Sequence, residues 1–397
     1  MKVHDFLSTD EDPRAALDAV CKEASTAFAE GGAPDLGCVF VTPHHEEVLD
    51  EVAKRITEAT GVRHLIGCTA ESVIAGKREI ERVAGISLWL ASMPGTEIQS
   101  FHLTHQEDAD GIGIDGLPEQ LAGRDIAPVA EDPPLMILFA DPYSFPIDAM
   151  IRELNETRRG VPIVGGMASG ALAAGQNRLY RDGATIREGA VGVLLSGGVR
   201  FRTVVSQGCR PIGRRALITG ANENLISELG GVPSKECLIS MLEEVSDEER
   251  HLFEKAPHIG IAIDEYRDDF ERGDFLIRNI LGWDLTGALA VNDVVRRGQT
   301  IQFHVRDADS AREDLEVLLE TEGTDGESAP ETALLFSCNG RGTRLFADPD
   351  HDVSAVRERG GDIPIAGFFA GGEIGPVGDK NFLHGFTASV VLLSSRS

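Results

Sequence analysis

The 397-residue sequence predicts an α/β fold with mixed sheets, built from repeated strand–helix–strand–hairpin units in two related domains. Three observations carry this prediction. Three stretches share one order of apolar runs, helical patterning and glycine turns; each holds a Gly-x-x-Ala turn; and a weaker fourth stretch follows the same order. Self-similarity of this kind marks a chain assembled from copies of one supersecondary unit.

The first stretch runs from Leu36 to Gly76, the second from Pro134 to Gly175 and the third from Ala333 to Gly378. Each opens with a short apolar run bounded by turn residues, the pattern of a buried strand. A loop and a helical segment follow. In the first stretch Val48, Leu49, Val52 and Ile56 recur at near-helical spacing between charged residues, which gives one apolar stripe. A second apolar run ends in the turn itself, Gly67 to Ala70, Gly165 to Ala168 and Gly367 to Ala370. Another glycine then leads into a further strand, at Gly85, Gly192 and Gly385. A strand–helix–strand connection this short implies a right-handed crossover and parallel pairing, and the strands after the turns add antiparallel partners. The weaker fourth copy spans His258 to Arg306. Four units in two pairs give two domains, placed at residues 30–215 and 220–397, with the charged, helical stretch Gly220 to Lys255 as the connector region. Glu320 to Glu331 reads as a polar acidic loop with no core-forming pattern.

Composition narrows the function. Hydrophobic residues make up 42% of the chain, enough for a substantial core, which excludes wholesale disorder. No apolar run approaches the length of a bilayer span, and the polar, acidic start MKVHDFLSTDEDPRAAL is not a signal peptide. A cytoplasmic protein with no membrane insertion is expected. The formal net charge of -28 repels phosphate backbones and anionic lipid, so no nucleic-acid partner is expected. The six cysteines are widely separated and form no CxxC pair, which fits a reducing compartment rather than a disulfide scaffold. Cysteine and histidine spacing offers no zinc site, so no metal is expected. Homo-oligomerisation is left open.

Specific motifs go further. FSCNGRG (Phe336 to Gly342), IPIAGFFAGGEIGPVG (Ile363 to Gly378) and the following FLHGFTASVVLL closely resemble the FIST-C signature, and RNILGWD with GALAVNDVVRRGQTIQFHVRDA resembles that domain's opening. The region from about Gly37 to Gly213, with IVGGMASG and GAVGVLLSG, looks like FIST-N. The resemblance covers nearly all the chain. It implies a small-ligand-binding sensory protein for intracellular signal transduction, with an amino acid or similar small polar metabolite as the ligand. No kinase, cyclase, chemoreceptor or F-box region is left over, so the resemblance implies signalling through a separate partner protein. It also extends to bacterial members described as haem-binding nitric oxide sensors. In that alternative His102 and His105 would supply an axial ligand, although strand-end surface residues are their commoner role. No CxxCH motif attaches haem covalently, and no cofactor is expected.

The third stretch is richest in site chemistry. Small residues at a Gly-x-x-Ala turn let backbone N–H groups approach a bound group; for the first two copies, close packing is the expected role. In the third, Gly371, Gly372, Gly375 and Gly378 surround Glu373. A carboxylate in so apolar a stretch needs a partner: a ligand amine, or a salt bridge to Arg341 or Arg278. Arg341, in the loop after a buried strand, offers a planar fork for a carboxylate. An Arg341–Glu373 couple would match the zwitterion of an amino acid. Cys338 and Asn339 end the same strand. Cys338 carries the alternative reading, an enzyme of hydrolase or transferase type, although a free cysteine is more commonly a small buried hydrophobe. His384 is the nearby candidate base by repeat position, while Arg278, Asn279 and Asn381 are secondary pocket-lining candidates. No residue is assigned a catalytic role. The glycines of GIGIDG (Gly111 to Gly116) lack the strand-before, helix-after setting of a dinucleotide site.

Overall fold

Apolar runs without alternation, such as LGCVFV and LMILFA, read as strands covered on both faces. In the computed structural model those runs and TALLFSC are buried along their whole length. Residues 1–108, 111–122, 132–267, 270, 273–321 and 329–396 are described, so most of the expected acidic loop, residues 322–328, lies outside them. The chain divides into two compact units, one of Met1–Val205 with Glu316–Ser397, the other of Ser206–Leu315.

The first unit repeats one pattern three times. The first repeat comprises β1 (Lys2–Ser8), α1 (Pro13–Ala27), β2 (Leu36–Val41), α2 (Val52–Thr60), β3 (His64–Thr69), the hairpin β4 (Ser72–Ala75) and β5 (Arg78–Glu81), and β6 (Ile86–Ser92). The second comprises β7 (Thr96–Asp108), β8 (Gly111–Asp115), β9 (Leu135–Ala140), α3 (Ile147–Thr157), β10 (Ile163–Met167), the hairpin β11 (Leu179–Arg181) and β12 (Ala184–Ile186), and β13 (Ala190–Gly197). The third begins with β14 (Val199–Ser206).

The second unit then intervenes in the sequence. It carries β15 (Cys209–Asn222), β16 (Leu225–Leu229), β17 (Val232–Pro233), α4 (Ser234–Glu244), α5 (Asp247–Lys255), β18 (His258–Ala262), β19 (Phe275–Trp283), β20 (Leu289–Val291) and β21 (Thr300–Arg306). Helix α6 (Ala308–Thr321) leads back to the third repeat: β22 (Thr332–Cys338), α7 (His351–Gly360), β23 (Ile365–Ala370), the hairpin β24 (Glu373–Val377) and β25 (Lys380–His384), and β26 (Ala388–Ser395).

Each repeat builds the middle of one sheet. The pairs β2–β3, β9–β10 and β22–β23 are parallel, and each crossover passes through a helix. The closing strands β6, β13 and β26 run antiparallel beside β2, β9 and β22, with β1, β7 and β14 outside them. The remaining place is filled from another repeat. Hairpin β11–β12 pairs with β3, hairpin β24–β25 with β10, and hairpin β4–β5 with β23. The exchange is cyclic.

The inner faces of the three sheets share one core. Phe40, Phe139 and Phe336 occupy equivalent positions on β2, β9 and β22, and their rings lie 5.2 to 6.5 Å apart. Phe368 of β23 packs against all three at 4.9 to 5.6 Å. Its counterparts across the parallel pairs are the smaller Cys68 and Gly166, which leaves it room. Outside, the stripe of α2 (Val52, Ile56) and that of α1 (Leu17, Val20) cover Val39 and Leu65. Helix α1 starts where Asp12 accepts hydrogen bonds from the N–H groups of Arg14 and Ala15 at 2.9 and 2.8 Å, with Pro13 at the first helical position.

The Gly-x-x-Ala turns have a steric cause common to all three repeats. A Cβ on Gly67, Gly165 or Gly367 would lie 2.0, 1.9 or 1.7 Å from the carbonyl oxygen of Val39, Leu138 or Leu335 on the adjacent parallel strand. No side chain fits there.

Two expectations require correction. The stretch from His258 to Arg306 is not a fourth copy: β18 pairs antiparallel with both β19 and β21, and among the described residues no helix connects them. Gly220 to Lys255 is not a connector, since β16, β17, α4 and α5 belong to the second unit. The second unit is not built on the pattern of the first.

Candidate functional site

The threefold pattern turns each repeat into a control for the others. Two residues beyond the central phenylalanines stand Thr42, Asp141 and Cys338. Their N–H groups donate equivalently, to the carbonyls of Gly85, Gly189 and Thr387, at 3.0, 2.9 and 2.9 Å. In the first repeat the Gly85 N–H returns a bond to Thr42 Oγ1 at 3.0 Å. In the second, the Gly189 N–H donates to Ser144 Oγ at 2.9 Å, and that hydroxyl donates to Asp141 Oδ2 at 2.6 Å. Asn177 Nδ2 supplies Asp141 Oδ1 at 2.9 Å. Both are closed polar networks.

The third repeat is different. Its Thr387 N–H donates to Glu373 Oε2 at 3.0 Å, and Thr387 Oγ1 donates to the same oxygen at 2.8 Å. Glu373 faces Gly166 in the β24–β10 pairing; the matching places in the other two hairpins hold Leu179 and Val73, both in the shared core. A carboxylate therefore fills a slot that is apolar twice over. Glu373 is 0% exposed, and its Oε1 has no hydrogen-bond partner. Burial pushes its pKa up to about 7, against the opposing pull of the Thr387 hydrogen bonds, the adjacent Cys338 thiol and Arg341.

Cys338 ends β22 at the edge of this cluster and is 9% exposed. The Gly340 N–H points at its Sγ, at 3.4 Å. Arg344 stands close enough to feel its charge, held by Glu71 at 2.6 Å and by the Asn339 carbonyl at 2.7 Å.

Arg341 does not offer the carboxylate clamp expected from its place in the sequence. Its Nε and Nη2 already grip Asp352 of α7 at 2.7 and 2.8 Å, and both side chains are buried. Asp352 also accepts from Ser337 Oγ at 2.7 Å and lies 2.9 Å from His351 Nδ1. Burial opposes its charge, but Arg341 and His351 outweigh it and hold its pKa well below the usual carboxylate range. Glu79 of β5 completes the group, accepting from the Val353 N–H at 2.9 Å. Burial and the neighbouring Asp352 push it up to about 8. The arginine thus neutralises Asp352, while Glu79 beside it holds its proton.

The remaining candidates have settled roles. The Gly371 N–H donates to the Met167 carbonyl at 3.0 Å, and the Gly372 carbonyl accepts from Met167 N–H at 2.8 Å. The ring of His384, opposite Glu373 across the hairpin, contacts the Gly375 carbonyl through Nε2 at 3.0 Å. Asn381 donates to the Val161 carbonyl at 2.9 Å and accepts from the Ile163 N–H at 2.7 Å. Arg278 and Asn279 belong to the second unit, where Arg278 Nε pairs with Asp293 at 2.6 Å and the Asn279 N–H donates to Asn292 at 2.6 Å. His102, on β7, engages the Glu188 carbonyl through Nε2 at 2.9 Å. Sequence reasoning missed Asp352, Thr387 and Arg344; the hydroxyl directly before the last strand was the one local signal.

A cleft of about 400 Å³ opens elsewhere in the first unit, lined by Arg200, Arg202, Arg359 and Arg396 with Asp132 and Phe201. Arg359 pairs with Glu320 at 2.5 Å, Arg396 pairs with Asp132, and Arg200 makes no ion pair among the described residues. The alternating VRFR of β14, in a chain of net charge -28, was the overlooked signal. A second cavity of about 400 Å³ shares Phe201 and Arg202 and reaches Asn381. Neither is lined by Arg341, Glu373 or Cys338.

Fold and site together define a three-repeat α/β protein with an inserted antiparallel unit and, in its third repeat, an unfinished polar cluster around Glu373. The sequence matches the FIST N domain over residues 35–232 and the FIST C domain over residues 236–376, and the chain belongs to the FIST family. FIST domains are generally described as small-ligand sensory domains of signal transduction. The chain is 39% identical to the uncharacterized protein MT0656 of Mycobacterium tuberculosis (strain CDC 1551 / Oshkosh), over 99% of both chains. It is also 39% identical to the uncharacterized protein Mb0898c of Mycobacterium bovis, over 99% of this chain and 98% of that one. No helix among the described residues is long and apolar enough to cross a membrane.

Proposed function

We propose that this FIST protein is a cytoplasmic sensor that binds a small carboxylate-bearing metabolite of amino-acid size in the arginine-lined cleft and signals through a separate protein. The observation that carries the reading is the concentration of four arginines around one 400 Å³ space in a chain of net charge -28. Cavities of roughly 300–1,000 Å³ suit small metabolites. Guanidinium forks hold carboxylates in planar, two-bonded geometry. Arg200 takes the ligand carboxylate, with Arg202 beside it, and Phe201 and Leu319 flank an apolar body. The carboxylate-binding role first attached to Arg341 moves here, because Asp352 fills the Arg341 fork.

Thermal unfolding in the presence of amino acids and small organic acids tests the proposal. A ligand at a hundred times its Kd adds about 2.7 kcal/mol, which raises the melting temperature by several degrees. The shift is expected to vanish in the double variant Arg200→Ala, Arg202→Ala. A panel with no stabilising ligand, or a shift that survives the double variant, would overturn the assignment.

A further inference from the structure

We infer that Cys338 and Glu373 form a thiol–carboxyl couple in which Glu373 takes the thiol proton and Cys338 acts as a nucleophile toward small hydroperoxides. This chemistry does not depend on the metabolite proposed above.

Only the third repeat places a thiol and a carboxylate at these two positions. At the position of Cys338 the sister repeats place Thr42 and Asp141, each satisfied within a closed network. At the position of Glu373 they place Val73 and Leu179. Packing therefore asks for an apolar residue, and the chain instead buries a carboxylate with Oε1 unpartnered, beside the thiol. A buried polar atom without a partner is costly, and its presence next to a nucleophile is the signature of a working acid–base group. The Gly340 N–H aimed at Sγ and the nearby Arg344 stabilise negative charge on sulfur.

Geometry also selects the reagent. Acyl transfer needs free N–H donors around the nucleophile to hold an oxyanion. Here the N–H groups of Asn339, Gly340 and Arg341 are engaged, with the Ala370 carbonyl, Cys338 Sγ and the Cys338 carbonyl. A hydroperoxide needs no such hole. It needs a thiolate and a proton donor for its leaving oxygen, and it is small enough for a cysteine that is 9% exposed.

The step balances. The thiol proton passes to Glu373 Oε1, and sulfur attacks the terminal peroxide oxygen. The S–O bond forms as the O–O bond breaks, and the leaving alkoxide or hydroxide takes the proton back from Glu373. Sulfur is oxidised to sulfenic acid while the hydroperoxide is reduced to an alcohol or water.

Dimedone trapping with hydrogen peroxide as the probe, read site by site by mass spectrometry on the full chain, tests this. Cys338 is expected to label at least tenfold faster than the more exposed Cys237, and fully buried Cys38 and Cys68 are expected to stay unlabelled. In Glu373→Gln the Cys338 rate should fall at least tenfold, and its pH profile should move to that of an unassisted thiol, near about 8.5. Labelling of Cys237 alone overturns the inference, as does an unchanged rate and profile in Glu373→Gln. Should that variant fail to fold, the wild-type ratio of Cys338 to Cys237 decides by itself.

Discussion

Replacing Glu373 by glutamine should alter how stability depends on pH, by an amount the structure sets. The glutamine keeps an oxygen for Thr387 but does not titrate. In the folded protein burial lifts the Glu373 carboxyl from 4.5 to about 7. Below pH 4.5 the folded and unfolded chains both hold the proton, so the group contributes no difference. Between 4.5 and 7 the unfolded chain releases it while the folded chain retains it, and folding stability falls as pH rises. Above 7 the penalty is complete, at about 3 kcal/mol on the scale of 1.36 kcal/mol per pKa unit. Urea unfolding of wild type and Glu373→Gln at about pH 5 and about pH 8 isolates this through the double difference, since Glu79 titrates in both proteins. The wild type should lose about 2.5 kcal/mol more than the variant across that span, because part of the penalty has already accrued by pH 5, well beyond the roughly 10–15% uncertainty of the extrapolation. A double difference near zero would refute the buried, ionisable carboxyl.

Three further outcomes are expected. Arg341→Ala leaves Asp352 charged, buried and without its main counter-ion, and should destabilise by roughly 3–5 kcal/mol in urea unfolding; a loss below about 1 kcal/mol would place that pair in solvent. Gly367→Ala drives a Cβ to 1.7 Å from the Leu335 carbonyl and should abolish the cooperative thermal transition. The control Gly378→Ala meets nothing within 4 Å at a φ of +60°, and should cost only about 1–2 kcal/mol; similar behaviour of the two would refute the steric reading. In the second unit, burial lowers the facing rings of His258 and His304 to about 4. Unfolded histidine gains its proton near 6.5 while the folded rings refuse it until about 4, so stability drops as pH falls through that window, on the order of 3 kcal/mol per ring. Hydrogen exchange of residues 206–315 at pH 7 and pH 5, corrected for intrinsic rates, should show the loss of protection; equal protection would sink it.

Local sterics and burial were legible in the sequence; partners between distant segments were not. The glycines at Gly67, Gly165 and Gly367 announce themselves because a neighbouring carbonyl forbids any side chain. The unusual setting of Glu373 was readable for the same reason, a carboxylate amid apolar and glycine residues. The partner of Arg341 was not, since Asp352 is the second residue of the next helix, eleven positions on, and nothing local tells an arginine which acid will reach it. Misreading His258 to Arg306 as a fourth copy has a comparable origin. HIGIAID and TIQFHVRD are genuine strands, β18 and β21, but an apolar run does not encode the direction of its neighbour. The hairpin exchange was equally invisible, because β4–β5, β11–β12 and β24–β25 are short and each could have folded back on its own repeat.

That exchange has a consequence for how such a molecule arises and comes apart. A single repeat expressed by itself would expose the naked edge of its second parallel strand while its own hairpin projected with nothing to rest on. Three such fragments could satisfy one another only by closing into a ring, the same cyclic exchange that this chain makes within itself. Joining the three in one polypeptide replaces a concentration-dependent encounter with an intramolecular one, at an effective concentration on the order of millimolar. Deleting the segment that carries β24 and β25 would then injure the second repeat's sheet, roughly two hundred residues upstream, before it harmed its own.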